Sequence, residues 1–161
     1  MQADRFEALK REHGFEAWRA KSSFPQPLRG FELREGELQG WRLARLDRRA
    51  TATPPRTTWL FARGPDELLR VDVIESPSVA AAHEELVRTL GEFQAPLLGR
   101  QETPVAGDVA FVLAGSDASV LFARGNVLVL VRNGGRKLVD ATAAARTVDA
   151  RLIEELGKLG R

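Results

Sequence analysis

The chain has 161 residues, 43% hydrophobic and 29% charged, the balance of a single globular domain large enough to bury a core. It has no cysteine, which excludes disulfides, thiolate metal sites and cysteine nucleophiles; no apolar run nears the roughly 20 residues of a membrane-spanning helix. Net charge is only +2, yet 20 of the 24 basic residues are arginine, a bias that fits a GC-rich genome better than an arginine-based function.

Residues 3–21 have the apolar spacing of a helix (Phe6, Leu9, Phe15, Trp18), interrupted at Gly14. The segment is charged and lacks the apolar core of an export signal, so the chain as written is cytoplasmic; an extracytoplasmic setting follows only if a leader preceded it. Phe24–Pro27 is a linker, because proline disfavours helix at the residue before it. Residues 1–27 form an appendage that covers a sheet face or an edge. Strands follow at Gly40–Leu46, Thr57–Gly64 and Leu68–Ser76, with a loop at Asp47–Arg56 stopped by Pro54-Pro55. Ser76-Pro77 opens a helix whose face carries Val79, Ala82, Leu86, Leu90 and Phe93 and which ends before Pro96. Beyond a connector at Gln94–Gly107 come strands at Gly107–Ala114, Ser119–Gly125 and Asn126–Asn133, the first two separated by a Gly115–Asp117 turn. Asn126–Val131 is apolar on both faces and therefore central in its sheet. Asp140 caps a final helix with Ala145, Val148, Leu152, Leu156 and Leu159 on one face.

The pentapeptide LFARG occurs twice, at Leu60–Gly64 and Leu121–Gly125. Both copies end the middle strand of a β-β-β-α unit, 40–93 and 107–159, which suggests a duplicated unit within a single domain spanning 1–161. In strand periodicity Phe61 and Phe122 face the core, while Arg63 and Arg124 cover apolar surface with their stems and take their heads to solvent. The other reading makes the two arginines a paired grip on one anionic group. The expected class is α+β: a mostly antiparallel sheet of about six or seven strands, two amphipathic helices on one face, and an extra N-terminal helix.

The run GDVAFV, SVLFARGNVLVLVRN and DATAAARTVDARL resembles a pattern near the C-terminus of many uncharacterised bacterial proteins, often exported or lipid-anchored. The resemblance implies a Mog1/PsbP-like α-β-α sandwich and a bacterial, extracytoplasmic setting. It implies no activity and no catalytic residue.

Catalytic motifs are not apparent. Ser116 and Ser119 lie near Asp117 without a histidine close in sequence, and no G-x-S-x-G elbow occurs. His83 borders the buried stripe of its helix, where a histidine is hydrogen-bonded at the core edge; with Glu84 or a facing carboxylate it would be a general base. His13 is solvated. His83-Glu84-Glu85 is the only ligand cluster and its side chains diverge on a helix, so neither a metal nor any other cofactor is expected. Arg132–Lys137 has the composition of a phosphate loop without its spacing and is read as a turn.

One charge feature rises above the background: Arg42, Arg45, Arg48, Arg49, Arg56 and Arg63 share a hairpin with a single acid, Asp47, bracketed by Trp41 and Trp59. Guanidiniums pair with phosphate or sulfate, and indoles stack on bases or sugars. The candidate ligand-binding residues are therefore Arg45, Arg48, Arg49, Arg56, Trp59, Arg63 and Arg124. The leading reading is a non-catalytic binding or accessory domain for a protein or small-molecule partner. The alternatives are a polyanion binder using the Arg42–Arg63 hairpin and a small enzyme or ligand-sequestering protein using the open sheet face.

Overall fold

The computed structural model describes residues 1–20, 26–92, 98–113 and 118–160, with the backbone alone at Leu113. Phe24 and Pro25 of the expected linker, Phe93 and Pro96 at the expected helix end, and the expected Gly115–Asp117 turn lie outside them. The class is α+β, built on an antiparallel sheet of seven strands with order β1-β2-β3-β7-β6-β5-β4. The strands are β1 (Arg42–Arg49), β2 (Arg56–Arg63), β3 (Glu67–Glu75), β4 (Leu98–Arg100), β5 (Val109–Leu113), β6 (Ser119–Arg124) and β7 (Val127–Asn133). The helices are α1 (Ala3–Glu12), α2 (Phe15–Trp18), α3 (Val79–Glu92) and α4 (Thr142–Leu159). No helix among the described residues is long and apolar enough to cross a membrane.

Local signals mostly act as written. Gly14 takes φ +62° and separates α1 from α2. The Asp140 carboxylate accepts the Thr142 N–H at 2.7 Å and opens α4. Three boundaries move for tertiary reasons. β1 runs on to Arg49, through the first three residues of the expected loop, because Asp47, Arg48 and Arg49 pair with Thr58, Thr57 and Arg56. β4 forms inside the expected connector by pairing with β5. The serine that caps α3 is Ser78, whose hydroxyl accepts the Ala81 N–H at 3.0 Å; Ser76 is buried and its N–H donates to the Asn126 carbonyl.

The two long helices do not share a face. Phe61, Val71, Val73, Phe122, Val129 and Val131 pack with Val148, Leu152 and Leu156 of α4. Ile74, Phe111, Leu121, Leu128 and Leu130 pack with Leu86, Val87 and Leu90 of α3, together with Phe15 and Trp18. The reason is in β6 and β7, which are apolar on both faces and need a cover on each. The result is three layers. On the α4 side, a strap carrying buried Leu28, Phe31, Leu33 and Leu38 joins Trp59 and Phe61 in the core. On the other side α3 lies over β6 and β7, and Trp18 reaches Phe111 of β5 with ring centroids 5.5 Å apart. Strand β7 occupies the middle of the sheet, as its two-faced apolar pattern predicts.

The strand order is mirrored about the β3–β7 pairing, and Phe61 and Phe122 face the same side, as a two-fold axis normal to the sheet requires. Such an axis would also put α3 and α4 on one face, and they lie on opposite faces. The three strands on either side of the β3–β7 pairing are laid out alike, with β4 added at one edge; the helices are not. Both LFARG copies end in a glycine at positive φ, +67° at Gly64 and +56° at Gly125, where a side chain would be strained.

The second of these turns carries Asn126, only 2% exposed. Its Oδ1 accepts the Leu28 N–H at 2.8 Å, and its Nδ2 donates to the Leu28 carbonyl at 3.0 Å and the Ser76 carbonyl at 2.8 Å. One amide thus ties the β6–β7 turn to the strap and to the chain entering α3. Replacing Asn126 by alanine leaves the buried Leu28 N–H without its acceptor and the Leu28 and Ser76 carbonyls with Arg29 Nη1 alone, and should destabilise the fold by about 2 kcal/mol. The check is urea unfolding, where the midpoint should fall at an unchanged slope.

Candidate functional site

Strand alternation sorts the arginine hairpin onto two faces. Trp59 and Phe61 point to the α4 side and are 0% and 1% exposed. Thr58 and Leu60 point the other way, toward the face that α3 leaves bare over β1, β2 and β3. A bulge at Ala44 inserts one residue between the pairs Leu43–Phe61 and Arg45–Leu60, which turns Arg45 onto the bare face. Arg49 and Arg56 follow, then Arg70 and Asp72 of β3, then Arg132 of β7.

The register makes this face a grid. One row across the strands is Arg49, Arg56, Ile74, Leu128; the next is Asp47, Thr58, Asp72, Leu130; the third is Arg45, Leu60, Arg70, Arg132. Two clefts open on it. One, of about 290 Å³, is lined by Arg45, Asp47, Arg49, Arg56, Thr58, Leu60 and Arg70. The other, of about 390 Å³, also touches Arg56 and runs under α3, past Asp72, Ile74, Leu130 and Arg132 to Glu85, Thr89 and Glu92.

Asp72 is the electrostatic centre. It is 1% exposed and takes Arg70 Nε at 2.9 Å, Arg70 Nη2 at 3.1 Å, Arg56 Nη2 at 3.1 Å and the Thr58 hydroxyl. Burial alone would raise its pKa; the Arg70 and Thr58 hydrogen bonds and the Arg56 and Arg70 charges outweigh that and hold the carboxyl below its usual range. Arg132 stands beside this cluster with neither an ion pair nor a hydrogen bond among the described residues. Burial and the charges of Arg70 and Arg56 lower its pKa, against the pull of Asp72. Arg45 likewise makes no ion pair among the described residues. The face therefore holds five guanidiniums around two aspartates, with bonding capacity left over.

The residues expected from the sequence divide. Arg45, Arg49 and Arg56 meet on the bare face. Arg48 lies on the opposite face and pairs with Glu32 of the strap at 2.7 Å. Trp59 is not a ligand contact: it is fully buried in the α4-side core, because its strand position alternates with the bare face. Arg63 is bound to Glu67 and stacks on Trp41, 4.5 Å from the ring centroid. Arg124 makes a two-pronged contact with Asp149 of α4, at 2.7 and 2.8 Å, and reaches Asp108 at 3.0 Å. Nor do Arg63 and Arg124 grip one group. Arg63 pairs with the start of β3 at Glu67, while Arg124 pairs with Val127, which faces the end of β3 at Glu75. They sit at opposite ends of the sheet. Arg70, Asp72 and Arg132 were missed as site residues. Their signal is the polar alternation in RVD and the last polar positions of VRN, which by itself marks only a solvent side.

His83 is 3% exposed, and neither ring nitrogen has a hydrogen-bond partner among the described residues, so the expected hydrogen bond at the core edge is not made. Its ring lies 5.7 Å from that of Trp18, and it lines neither cleft. Among the described residues no group of three His, Cys, Asp or Glu side chains is placed to hold a metal ion. No family model, curated protein or solved structure matches this chain.

Two predictions follow from these charges. Asp72→Asn removes the carboxylate that Arg56 and Arg70 share; since both are partly exposed, the loss should be about 2 kcal/mol in urea unfolding at neutral pH. Burial lowers the His83 pKa, against a weaker upward pull from Asp108, so the folded chain holds the imidazole neutral while the unfolded chain protonates it below its ordinary value. The unfolded state then binds the extra proton, and stability falls as pH drops below about 6.5. His83→Leu should flatten the wild-type slope between pH 7.5 and 5.5, measured by urea midpoints.

Proposed function

We propose that this protein is a non-catalytic binding module that takes an anionic ligand on the bare half of its sheet. The observation that carries the reading is the pair Arg45 and Arg132. They flank the cluster in which Arg56 and Arg70 already share Asp72, and neither has an ion-pair partner among the described residues. Guanidiniums are suited to forked contacts with carboxylate, phosphate or sulfate. The bare face is also the part of the sheet that neither helix nor strap covers. Leu60 and Leu121 hold the same place in the two LFARG copies, yet Leu121 is 0% exposed beneath α3 while Leu60 lines a cleft.

The test is calorimetric titration with heparin, as a generic polyanion, at roughly 50 and 200 mM salt, where counterion release makes such binding change steeply. Saturable, salt-sensitive binding is expected, weakened in Arg45→Ala/Arg132→Ala and unchanged in Arg48→Ala, whose arginine is on the other face. Equal binding by the first variant would remove the site.

A further inference from the structure

We infer that the occupant of the bare face is an acidic amphipathic helix of a partner protein, which lies beside α3 and completes the third layer. This rests on the reading above and names the kind of ligand. On this side α2 and α3 cover β5, β6 and β7 and reach β3 at Ile74, whereas among the described residues β1 and β2 carry no helix. The vacancy is a strip beside α3, and a helix is about 10 Å across, about two strand spacings. The opposite face of the same strands is closed by the Leu28–Leu38 strap, so one further element would close the sandwich.

The two arginine-bearing rows lie four residues apart along the strands, Arg45 to Arg49, or about 13 Å. Carboxylates at i and i+7 or i+8 of a helix are about 10–12 Å apart on one face, within reach of flexible arginines on both rows. Apolar side chains between them meet Leu60 in the first cleft and, along α3, the edges of Ile74 and Leu130 that line the second.

The face suits such a helix better than a nucleic acid. No position of the grid is aromatic, and Trp59 is buried on the other side, so bases have no ring to stack on. Asp47 in the central row and Glu85 and Glu92 on α3 break the positive field. A phosphate backbone, charged at every unit, meets repulsion there. A helix meets the same acids with neutral or basic residues.

The experiment uses the whole chain labelled with ¹⁵N, followed through its backbone amides and arginine Nε–H signals. The probes are a synthetic helical peptide with glutamates at i and i+7 beside a leucine stripe, a scrambled peptide of the same composition, a single-stranded oligonucleotide, and inorganic phosphate. The expected result is saturable binding of the helical peptide with shifts at Arg45 and Arg132 and a gain of peptide helicity. The scrambled peptide should bind at least about tenfold more weakly, since charge alone gives little affinity without register. Arg45→Glu/Arg132→Glu should abolish the binding while leaving the fold intact, because neither arginine holds an ion pair among the described residues. Equal binding of the scrambled peptide, or tighter binding of the oligonucleotide, overturns the helix. If phosphate or the oligonucleotide shifts these arginines and the helical peptide does not, the helix falls and the anion site stands. If no probe shifts them, the site falls as well.

Discussion

The antiparallel pairing of β3 with β7 holds the molecule together. It joins a three-stranded meander, β1 to β3, to a four-stranded one, β4 to β7, along their last strands, from Leu69–Asn133 at one end to Glu75–Val127 at the other. The two strands are buried over most of their length and contribute side chains to both apolar clusters. Strands so placed cannot slip by one residue, because a slip would exchange every side chain between the two faces. The same register sets the arginine grid: Arg70 stands opposite Arg132, and Asp72 opposite Leu130, only because of this ladder.

Three polar contacts then fix what the ladder leaves open. Asn126 ties the central turn to the strap and to the chain entering α3. The Arg124–Asp149 pair pins α4 to the end of β6, and Arg151 joins α4 to Glu37 after the strap's Leu33. These contacts cover the α4 side across the sheet. Among the described residues no equivalent acts over β1 and β2 on the α3 side. A protein with a mirrored strand order therefore has an unsymmetrical surface, one quarter of it bare and rich in guanidinium.

That asymmetry explains why repetition in sequence does not make a repeated site. Arg63 and Arg124 hold matching positions, but each is occupied by the carboxylate its own surroundings supply, Glu67 in a hairpin and Asp149 on a helix. The functional weight shifts to arginines without a motif. Arg70 and Arg132 come from strands that belong to different halves of the chain, and their proximity exists only across the β3–β7 pairing.

Most elements were legible in the sequence because their causes are local. Alternation in Leu69–Val73, the two-faced apolar run at Asn126–Val131, the helical stripes of α3 and α4, the break at Gly14 and the cap at Asp140 need no information from elsewhere. The arginine-rich hairpin was legible as a charge anomaly, and Arg45, Arg49 and Arg56 do share a face. Which arginines converge was not legible. Alternation separates neighbours such as Arg48 and Arg49, the bulge at Ala44 moves Arg45 across, and Trp59 enters the core with the opposite face. By itself the sequence determined the α+β class, six of the seven strands, the central place of β7 and the lack of any cysteine chemistry, since composition and periodicity act within a few residues. Only the tertiary structure decided that α3 and α4 take opposite faces, that the β1–β3 half stays bare, and that Arg70, Asp72 and Arg132 join the hairpin. Each of those depends on which distant strand lies alongside, and short-range pattern carries no record of that.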